Sequence, residues 1–426
     1  MIKIRKKLSI VILILISVQV FSLEQNNTIQ NLVNQYVKKY SSTDVHKKGE
    51  GISGIQLTVL QNGNMQTYTA GTVGRDIKIP VTAKNLFSWG SITKEFTTAI
   101  ILNLQEQKKL NLNQTLQYWF PENFASTKNK KSIWPKEWSK VKIFQLLNMT
   151  SGIPNAMNGA TLNTFWNKKR IFETNWQPNQ IITIAAKYAR TKQCKRQCFA
   201  PGTHWSYSNT NYIIAELIVE KAAKMPFSSQ MRELLSHAGV TAYYIPNKRP
   251  AENLKDMMHG YLYDPLYGFP PIKNVPLGFD TSNTLTWSTG PASGALIGST
   301  ENMSKAVFKL FSGEILSKQS TAILKNNYFV NEKTSKRVDD LKQCTDKNTA
   351  GNGCYGLGVY FVYHKKSGLV YRYGGVISGY RSMYIWAPKK NILITVLVNS
   401  TAGHNDHEEK FAKAIFMKSK VSISAP

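Results

Sequence analysis

The chain has 426 residues, 42% of them hydrophobic and 19% charged, a composition that allows a large buried core and excludes a disordered protein. The formal net charge is +29, yet the basic residues are scattered and no nucleic-acid motif accompanies them, so no nucleic-acid partner is expected. The excess positive charge fits either contact with an anionic envelope surface or a general bias of composition.

The N-terminus has the layout of a secretory signal peptide. Basic residues between Lys3 and Lys7 precede an apolar run from Leu8 to Val20, and the small residue Ser22 follows it. This order predicts a signal peptide over residues 1–22 and an exported protein, periplasmic or secreted. The run is short for a membrane span, and an uncleaved anchor is the alternative.

The mature chain begins with a predicted helix and hairpin. Apolar residues recur on one face over residues 29–40, which predicts an amphipathic helix. Two strand-like runs, residues 52–60 and 65–70, flank Asn62-Gly63, a pair typical of tight hairpin turns.

The middle of the chain is rich in predicted helices, and its last part is rich in predicted strands. Helices are expected at residues 143–147, 181–189, 212–224 and 407–418. Strands with short turns between them, which imply antiparallel neighbours, are expected at residues 358–364, 369–373, 382–386 and 392–398. Residues 244–276 form a polar, turn-rich stretch.

These elements predict an α/β fold of the α+β type, with an antiparallel sheet flanked by helices beside a mostly helical lobe. The sheet lobe would combine residues 23–105 with residues 285–426, and the helical lobe would be residues 106–284, within a single catalytic domain over residues 23–426. A cleft between the lobes is the natural place for a site.

The four cysteines fall into two local pairs in polar surroundings. In an oxidising compartment an even number of cysteines indicates disulfides, and no histidine stands at metal-ligand spacing beside either pair. We therefore predict the bonds Cys194–Cys198 and Cys344–Cys354, and no metal site.

Ser91 and Lys94 stand three residues apart at the start of a predicted helix, in which Phe96, Ile100 and Leu104 recur every four residues. Positions three apart share a helix face, so the amine would lie close to the hydroxyl. The helix N-terminus favours negative charge at the serine, and burial would lower the pKa of the lysine enough for it to take the serine proton. This arrangement suits a serine nucleophile.

Two later stretches hold residues that suit the same chemistry. Tyr207 and Asn209 precede the helix at residues 212–224, and a tyrosine beside a cationic lysine can be a phenolate that acts as base for Ser91. Asn209 offers an amide to hold a substrate carbonyl or Lys94. In Tyr373-Gly374-Gly375-Val376 the glycines let a strand approach a ligand closely.

The combined pattern resembles the serine β-lactamase and penicillin-binding protein superfamily. It consists, in order, of Ser-x-x-Lys, Leu-Leu-x-x-Thr-Ser-Gly-Ile-Pro, Phe-x-Pro-Gly, Tyr-Ser-Asn and Tyr-Gly-Leu-Gly, at residues 91–94, 146–154, 199–202, 207–209 and 355–358. The branch it is most similar to contains class C β-lactamases, D-alanyl-D-alanine carboxypeptidases and esterases. The resemblance covers residues 54–399 and implies a β-lactamase/transpeptidase-like fold.

The resemblance also implies roles for residues. Ser91 would be acylated, Lys94 and Tyr207 would share the proton transfer, and Asn209 would position the substrate. The backbone N–H groups of Ser91 and Val376 would form the oxyanion hole. Neither a cofactor nor a metal is implied. No Gly-x-Ser-x-Gly sequence occurs, which argues against a Ser-His-Asp hydrolase.

The strand that would line the substrate departs from the family pattern. Lactamases usually carry Lys-Thr-Gly and many carboxypeptidases His-Thr-Gly where this chain has Tyr373-Gly374-Gly375, so the cation that meets a substrate carboxylate is missing. Alternation along the strand points Arg372 away, whereas Arg381 lies beyond a turn and is able to reach back. Some esterases of the family have an aromatic residue and two glycines here, which favours ester or amide substrates.

The expected function is that of an exported serine hydrolase, a D-alanyl-D-alanine carboxypeptidase-like peptidase or an esterase. Its substrate would be a small molecule or a peptide, such as a cell-wall D-amino-acid peptide, an ester or a β-lactam. The alternatives are a class C-like β-lactamase and, in another class of protein, a non-catalytic sensor or scaffold of the penicillin-binding type.

Overall fold

The computed structural model describes residues 26–44, 49–126, 132–157, 175–263, 277–282, 286–345, 353–402 and 407–419. The predicted signal peptide at residues 1–22 lies outside these ranges, as do residues 264–276 of the stretch predicted to be polar and turn-rich.

Fifteen strands form one large and two small sheets within the described residues. In chain order they are β1 Gly54–Gln61, β2 Asn64–Gly74, β3 Ile77–Pro80, β4 Phe87–Ser88, β5 Tyr243–Tyr244, β6 Tyr261–Leu262, β7 Phe279–Asp280, β8 Leu296–Gly298, β9 Val330–Asn331, β10 Cys354–Tyr355, β11 Tyr360–His364, β12 Gly368–Ile377, β13 Tyr380–Ala387, β14 Ile392–Val398 and β15 Ser400–Thr401.

The large sheet is antiparallel and joins the two ends of the chain. Its nine strands follow the order β3-β2-β1-β14-β13-β12-β11-β10-β9. The pairing of β1 with β14 places Ile55 opposite Val398 and thereby brings the N-terminal and C-terminal strands together. This arrangement confirms the predicted α+β fold.

Helices cover both faces of this sheet. In chain order the described α-helices are α1 26–40, α2 Thr93–Glu106, α3 Leu116–Trp119, α4 Pro121–Phe124, α5 Ile143–Leu147, α6 Pro178–Ala189, α7 Asn209–Ala223, α8 Phe227–His237, α9 Pro250–Asn253, α10 Pro291–Gly294, α11 Thr300–Ser312, α12 Lys318–Asn326 and α13 Glu408–Ser419. Helices α1 and α13 pack on the outer face, whereas α2 and α11 lie on the inner face with the helical middle of the chain.

Strand β14 shows why the sheet is buried on both sides. Its residues alternate between two cores: Ile392, Ile394 and Val396 pack outward with α1 and α13, and Leu393 and Leu397 pack inward. Side chains that alternate between two cores along a largely apolar strand are expected when both faces of the sheet are covered. The same alternation decides which residues of β12 reach the inner face.

The hairpin between β1 and β2 forms as predicted. Asn62 and Gly63 both have positive φ, 51° and 82°, which a two-residue turn of type I′ requires. The predicted disulfides are also present, with Cα–Cα distances of 5.4 Å for Cys194–Cys198 and 5.5 Å for Cys344–Cys354.

The two small sheets were not predicted. One has the order β4-β8-β5, and the other has the order β15-β6-β7. Most of their strands have only two residues, too few to produce a period in the sequence. Strands β5, β6 and β7 lie within the middle of the chain, where only helices and turns were expected.

The expectation that Arg381 reaches back to the substrate strand is wrong. This side chain is fully buried on the outer side of the sheet, where its guanidinium forms ion pairs with Glu50 and Glu408. Its Nε also donates to the carbonyl of Ser400 over 2.7 Å. Arg381 therefore ties the chain before β1 to helix α13.

None of the helices within the described ranges combines the length and the apolar character that a membrane span requires.

Candidate active site

Ser91 lies in a short 3₁₀ turn, Gly90–Ile92, that connects β4 to α2. The surrounding Trp89, Gly90 and Ile92 are buried, whereas Ser91 is partly exposed. Gly90 has a φ of +51°, in the left-handed region that glycine adopts without steric cost. The turn thus exposes one hydroxyl within an otherwise buried segment.

The hydroxyl of Ser91 has two close polar neighbours. Its Oγ lies 3.1 Å from Lys94 Nζ and 2.8 Å from the Tyr207 hydroxyl. The amine also lies 4.9 Å from the centroid of the Tyr207 ring. The predicted contact of Ser91 with Lys94 is therefore present, and a residue 116 positions away completes the group.

Burial determines the protonation of both neighbours. Lys94 is fully buried, and this burial holds its pKa well below the usual range, so a neutral amine is accessible. Burial also raises the pKa of Tyr207, and hydrogen bonds with Ser91 and Tyr373 offset this only in part. The pKa of Tyr207 thus moves in the direction opposite to the one that the expected phenolate requires, because desolvation is the largest influence on it.

A backbone carbonyl fixes the amine of Lys94. Its Nζ donates to the carbonyl of Ser293 over 2.7 Å, in the short helix α10. Thr97 in α2 donates to the neighbouring carbonyl of Ala292, also over 2.7 Å. This contact was not predictable from the sequence, since a backbone acceptor has no characteristic residue type.

Glu216 of helix α7 holds the same short helix from the other side. Its carboxyl accepts the N–H of Ala292 over 3.2 Å and is buried. Burial, followed by repulsion from Glu220, raises the pKa of Glu216 to about 8. The buried carboxyl of Glu216 is thus connected to Lys94 through the backbone of the short helix α10.

Glu216→Gln should flatten the dependence of stability on pH. A carboxyl with a raised pKa binds a proton in the folded state but not in the unfolded state between about pH 5 and pH 8, so unfolding releases that proton. The wild type should therefore lose stability as the pH rises through this window, by up to about 1.4 kcal/mol per pH unit from this group. Urea titrations at several pH values measure the slope.

The control is Glu233→Gln on the exposed surface of α8, which should keep the wild-type slope. Equal slopes for the wild type and Glu216→Gln would show that Glu216 is not protonated in the folded protein.

The turn at residues 147–154, which had no assigned role, supports the Tyr207 segment. Met149 O accepts the N–H of Ser206 over 3.0 Å, and its sulfur accepts the N–H of Ser208 over 3.3 Å. Ser151 Oγ donates to Asn211 Oδ1 over 2.7 Å at the start of α7. This turn therefore positions the tyrosine that faces Ser91.

Strand β12 presses its backbone against the Ser91 turn. A methyl group on Gly375 would lie 2.0 Å from Trp89 O and 2.9 Å from Ser91 N, and one on Gly90 would lie 2.8 Å from Val376 N. The backbone nitrogens of Ser91 and Val376 therefore lie at one junction, as a pair of donors for an oxyanion requires. Only glycine permits this approach.

Gly375→Ala and Gly374→Ala form a matched pair. The methyl at residue 375 would force the Ser91 turn away from β12, which should slow acylation by about 10²-fold and reduce stability by about 1–3 kcal/mol. At residue 374 the nearest atoms would lie 3.6 Å away, an ordinary contact, so the unfolding free energy should fall by less than about 0.5 kcal/mol.

Thermal unfolding and the rate of ester hydrolysis measure both changes. Similar losses of stability and of hydrolysis rate in the two variants would show that the close approach of β12 to the Ser91 turn does not require a glycine at residue 375.

Tyr373 lies behind Tyr207 and is buried. Its hydroxyl is 2.9 Å from that of Tyr355, which extends a row of hydroxyls from Ser91 through Tyr207 into the core. Tyr355 belongs to the Tyr-Gly-Leu-Gly stretch, to which sequence analysis gave no role. Arg372 points to the outer face, as expected, and pairs there with Glu409 over 2.9 Å.

Asn209 is the first residue of α7 and is partly exposed two positions beyond Tyr207. Across the ranges that the structure describes, no group of three or more His, Cys, Asp or Glu side chains could hold a metal ion.

Comparison with known proteins agrees with this geometry. The model of the Beta-lactamase family matches residues 29–415. Penicillin-binding protein 4* of Bacillus subtilis (strain 168) is 27% identical over 190 residues, which are 44% of this chain and 37% of that protein. A Beta-lactamase of Providencia stuartii is 24% identical over 188 residues, 44% of this chain and 41% of that protein. The chain thus spans less than half the length of these curated relatives.

Among solved structures, the D-amino acid amidase of Ochrobactrum anthropi SV3, complexed with L-phenylalanine amide, superposes with a TM-score of 0.70. The match covers 94% of this chain and 100% of that one at 19% identity, and it shows a shared fold. Because the family model spans most of the sequence, the chain belongs to the Beta-lactamase family, within the superfamily of serine β-lactamases and penicillin-binding proteins.

Proposed function

We propose that this protein hydrolyses amide or ester bonds of small D-amino-acid derivatives or peptides through an acyl-enzyme on Ser91. The observation that carries the proposal is the position of Ser91 Oγ, within hydrogen-bonding distance of both Lys94 Nζ and the Tyr207 hydroxyl. A nucleophile and its base must be this close for proton transfer to accompany attack.

The proposed reaction has two halves. Ser91 Oγ attacks the substrate carbonyl while its proton passes to the neutral amine of Lys94, and the N–H groups of Ser91 and Val376 stabilise the oxyanion. Tyr207 relays the proton to the leaving amine or alcohol, and the carbon–nitrogen or carbon–oxygen bond breaks. Water then attacks the ester carbonyl and gives one proton to Lys94. The bond between the carbonyl carbon and Ser91 Oγ breaks, Oγ takes up that proton, and the acid leaves. Asn209 would hold the amide of the bound substrate.

The substrate class follows from what β12 offers. Tyr373-Gly374-Gly375 carries no cation, Arg372 pairs with Glu409, and Arg381 is buried on the outer side. A charge-assisted contact with a carboxylate is stronger than a neutral hydrogen bond, so its loss favours neutral amides and esters. The D-amino acid amidase that shares this fold is consistent with such substrates.

A substrate panel tests the proposal. We expect turnover of D-phenylalanine amide in preference to its L-enantiomer, turnover of short-chain esters, and weak or no turnover of a chromogenic cephalosporin. Efficient cephalosporin hydrolysis would instead identify a class C-like β-lactamase. Failure to turn over any member of the panel would favour a non-catalytic sensor or scaffold.

Export and domain organisation belong to the same proposal. We propose that residues 1–22 are removed as a signal peptide and that residues 23–426 form one catalytic domain. The supporting observation is the N-terminal basic and apolar pattern. N-terminal sequencing of the protein recovered from the periplasm or medium tests the cleavage, and intact mass tests whether the anchor is retained.

A further inference from the structure

The peptide unit between Trp89 and Gly90 lies directly before the one that carries the N–H of Ser91. Gly90 has a φ of +51° and no side chain, so its own covalent structure leaves this peptide free to rotate. The orientation of the Ser91 N–H depends on the same turn, Gly90–Ile92. Hydrogen bonds from neighbouring elements therefore have to hold the turn in the conformation that an oxyanion hole needs.

Two buried serine hydroxyls fix both polar groups of the Trp89–Gly90 peptide. The N–H of Gly90 donates to Ser88 Oγ over 3.1 Å, and the carbonyl of Trp89 accepts from Ser382 Oγ over 2.7 Å. Both serines are 1% exposed. Ser88 precedes the turn in β4, whereas Ser382 is in β13, 293 residues away from Trp89 in sequence. The second contact thus ties the turn to the large sheet.

Ser382 also lies beside the backbone that carries the second oxyanion donor. It stands opposite Gly375 in the pairing of β13 with β12, and its Oγ lies 3.4 Å from the carbonyl oxygen of Gly375. That carbonyl and the N–H of Val376 belong to one peptide unit. The Ser382 hydroxyl therefore lies between the segments that carry the two donors, and its one proton is directed to the closer acceptor, Trp89 O.

The absence of a side chain at Gly375 makes this contact possible. A methyl group there would lie 2.4 Å from Ser382 Oγ and 2.0 Å from Trp89 O, so it would fill the space through which the hydroxyl reaches the turn. Burial of a hydroxyl costs stability unless the hydroxyl is hydrogen-bonded. Ser382 meets this requirement with a backbone carbonyl, at the place where β12 approaches the Ser91 turn.

We propose that Ser382 is a positioning residue for the oxyanion hole. Because it is buried, it acts through the backbone and not on the substrate: its hydroxyl holds the Ser91 turn against β12, so that the N–H groups of Ser91 and Val376 meet one oxygen. Without this hydroxyl the carbonyl of Trp89 is left with the longer bond from the N–H of Ile92, at 3.3 Å. The inference rests on the proposed acyl-enzyme at Ser91.

Two substrates that differ in one atom test the proposal. A short-chain ester and its thionoester, in which sulfur replaces the carbonyl oxygen, differ in their use of the oxyanion hole, because sulfur is the weaker hydrogen-bond acceptor. The ratio of kcat/KM for the ester to kcat/KM for the thionoester, divided by the ratio of their rates with hydroxide, therefore reports on the hole.

We expect Ser382→Ala to lower kcat/KM for the ester by about tenfold, less than the roughly 10²–10³-fold that follows removal of a donor itself. The thionoester should lose less, so the ratio should fall. If Ser382→Ala does not fold, Ser382→Cys replaces it, because the thiol has nearly the size of the hydroxyl but donates weakly. The ratio should fall in this variant as well.

Ser304→Ala is the matched control. The Ser304 hydroxyl is also fully buried and lies 2.8 Å from Thr395 Oγ1, between α11 and β14. This variant should have a lower melting temperature than the wild type but the same ratio of ester to thionoester hydrolysis. A loss of stability without an effect on the oxyanion hole is thereby separated from the expected effect at Ser382.

An unchanged ratio in a folded variant at residue 382, or an equal fall in Ser304→Ala, would overturn the inference and leave the proposed function intact. A wild type that hydrolyses neither the ester nor the thionoester would contradict the proposed acyl-enzyme at Ser91 and, with it, the inference.

Discussion

Ser91→Ala should abolish hydrolysis of every good substrate, with a loss of about 10⁴-fold or more, while the protein stays folded. The substitution removes one oxygen from a partly exposed side chain and leaves the turn Gly90–Ile92 unchanged. Lys94 and Tyr207 would remain in place, but the nucleophilic oxygen between them would be absent. Initial rates with a chromogenic ester, together with the melting temperature, measure the two effects.

Ser208→Ala is the matched control for this loss. Ser208 lies beside Tyr207, is buried, and has a hydroxyl that finds no partner among the described residues. Removal of that hydroxyl should leave the rate and the stability close to those of the wild type. Wild-type hydrolysis by Ser91→Ala would remove Ser91 from the mechanism.

Tyr207→Phe should reduce the acylation rate by about 10²–10⁴-fold, the usual contribution of a positioned acid–base group. The ring and its contact with Lys94 are kept, and only the hydroxyl 2.8 Å from Ser91 Oγ is lost. Because burial raises the pKa of Tyr207, the loss would report its role as a relay of the proton. Single-turnover kinetics with an ester substrate isolate this step.

Tyr212→Phe is the control for a second tyrosine near the same lysine. Its ring centroid lies 5.6 Å from Lys94 Nζ, but its hydroxyl donates to the carbonyl of Leu147. This variant should lose stability, by about 1–3 kcal/mol, and retain most of the acylation rate. If Tyr207→Phe reduced the acylation rate by less than a few-fold, the proton transfer would be assigned to Lys94 alone.

Local geometry explains which parts of the site were predictable. A spacing of three on a helix places Lys94 beside Ser91 without any knowledge of the remaining fold. The contact of Ser91 with Tyr207 joins residues 116 positions apart, so it was argued from the chemistry of the two side chains and from the family resemblance, not from spacing. Strand alternation correctly turned Arg372 away from the inner face, because the period of two is intrinsic to a strand.

The errors come from partners that are distant in sequence or that lack a characteristic side chain. Arg381 was expected near the substrate, but Glu50, 331 residues away, holds it on the outer side. Lys94 is fixed by the carbonyl of Ser293, a group that every residue possesses. The phenolate of Tyr207 was argued from charge alone, whereas burial proved to be the larger influence on its pKa.

The secondary structure shows the same difference between features that local sequence determines and features that depend on distant partners. Long strands such as β14, an apolar run bounded by turn residues, were found with the correct bounds, residues 392–398. The two-residue strands of the small sheets depend on pairing with distant segments, as in Phe87 with Gly298, and carry no period.

The most direct test of the account is the intact mass of the protein after reaction with a fluorophosphonate probe and with a fluorescent penicillin, followed by peptide mapping. We predict one covalent adduct per chain with the phosphonate, located on Ser91, and no adduct in Ser91→Ala. An adduct on any other serine, or no adduct with either probe in a folded protein, would contradict an acyl-enzyme at Ser91.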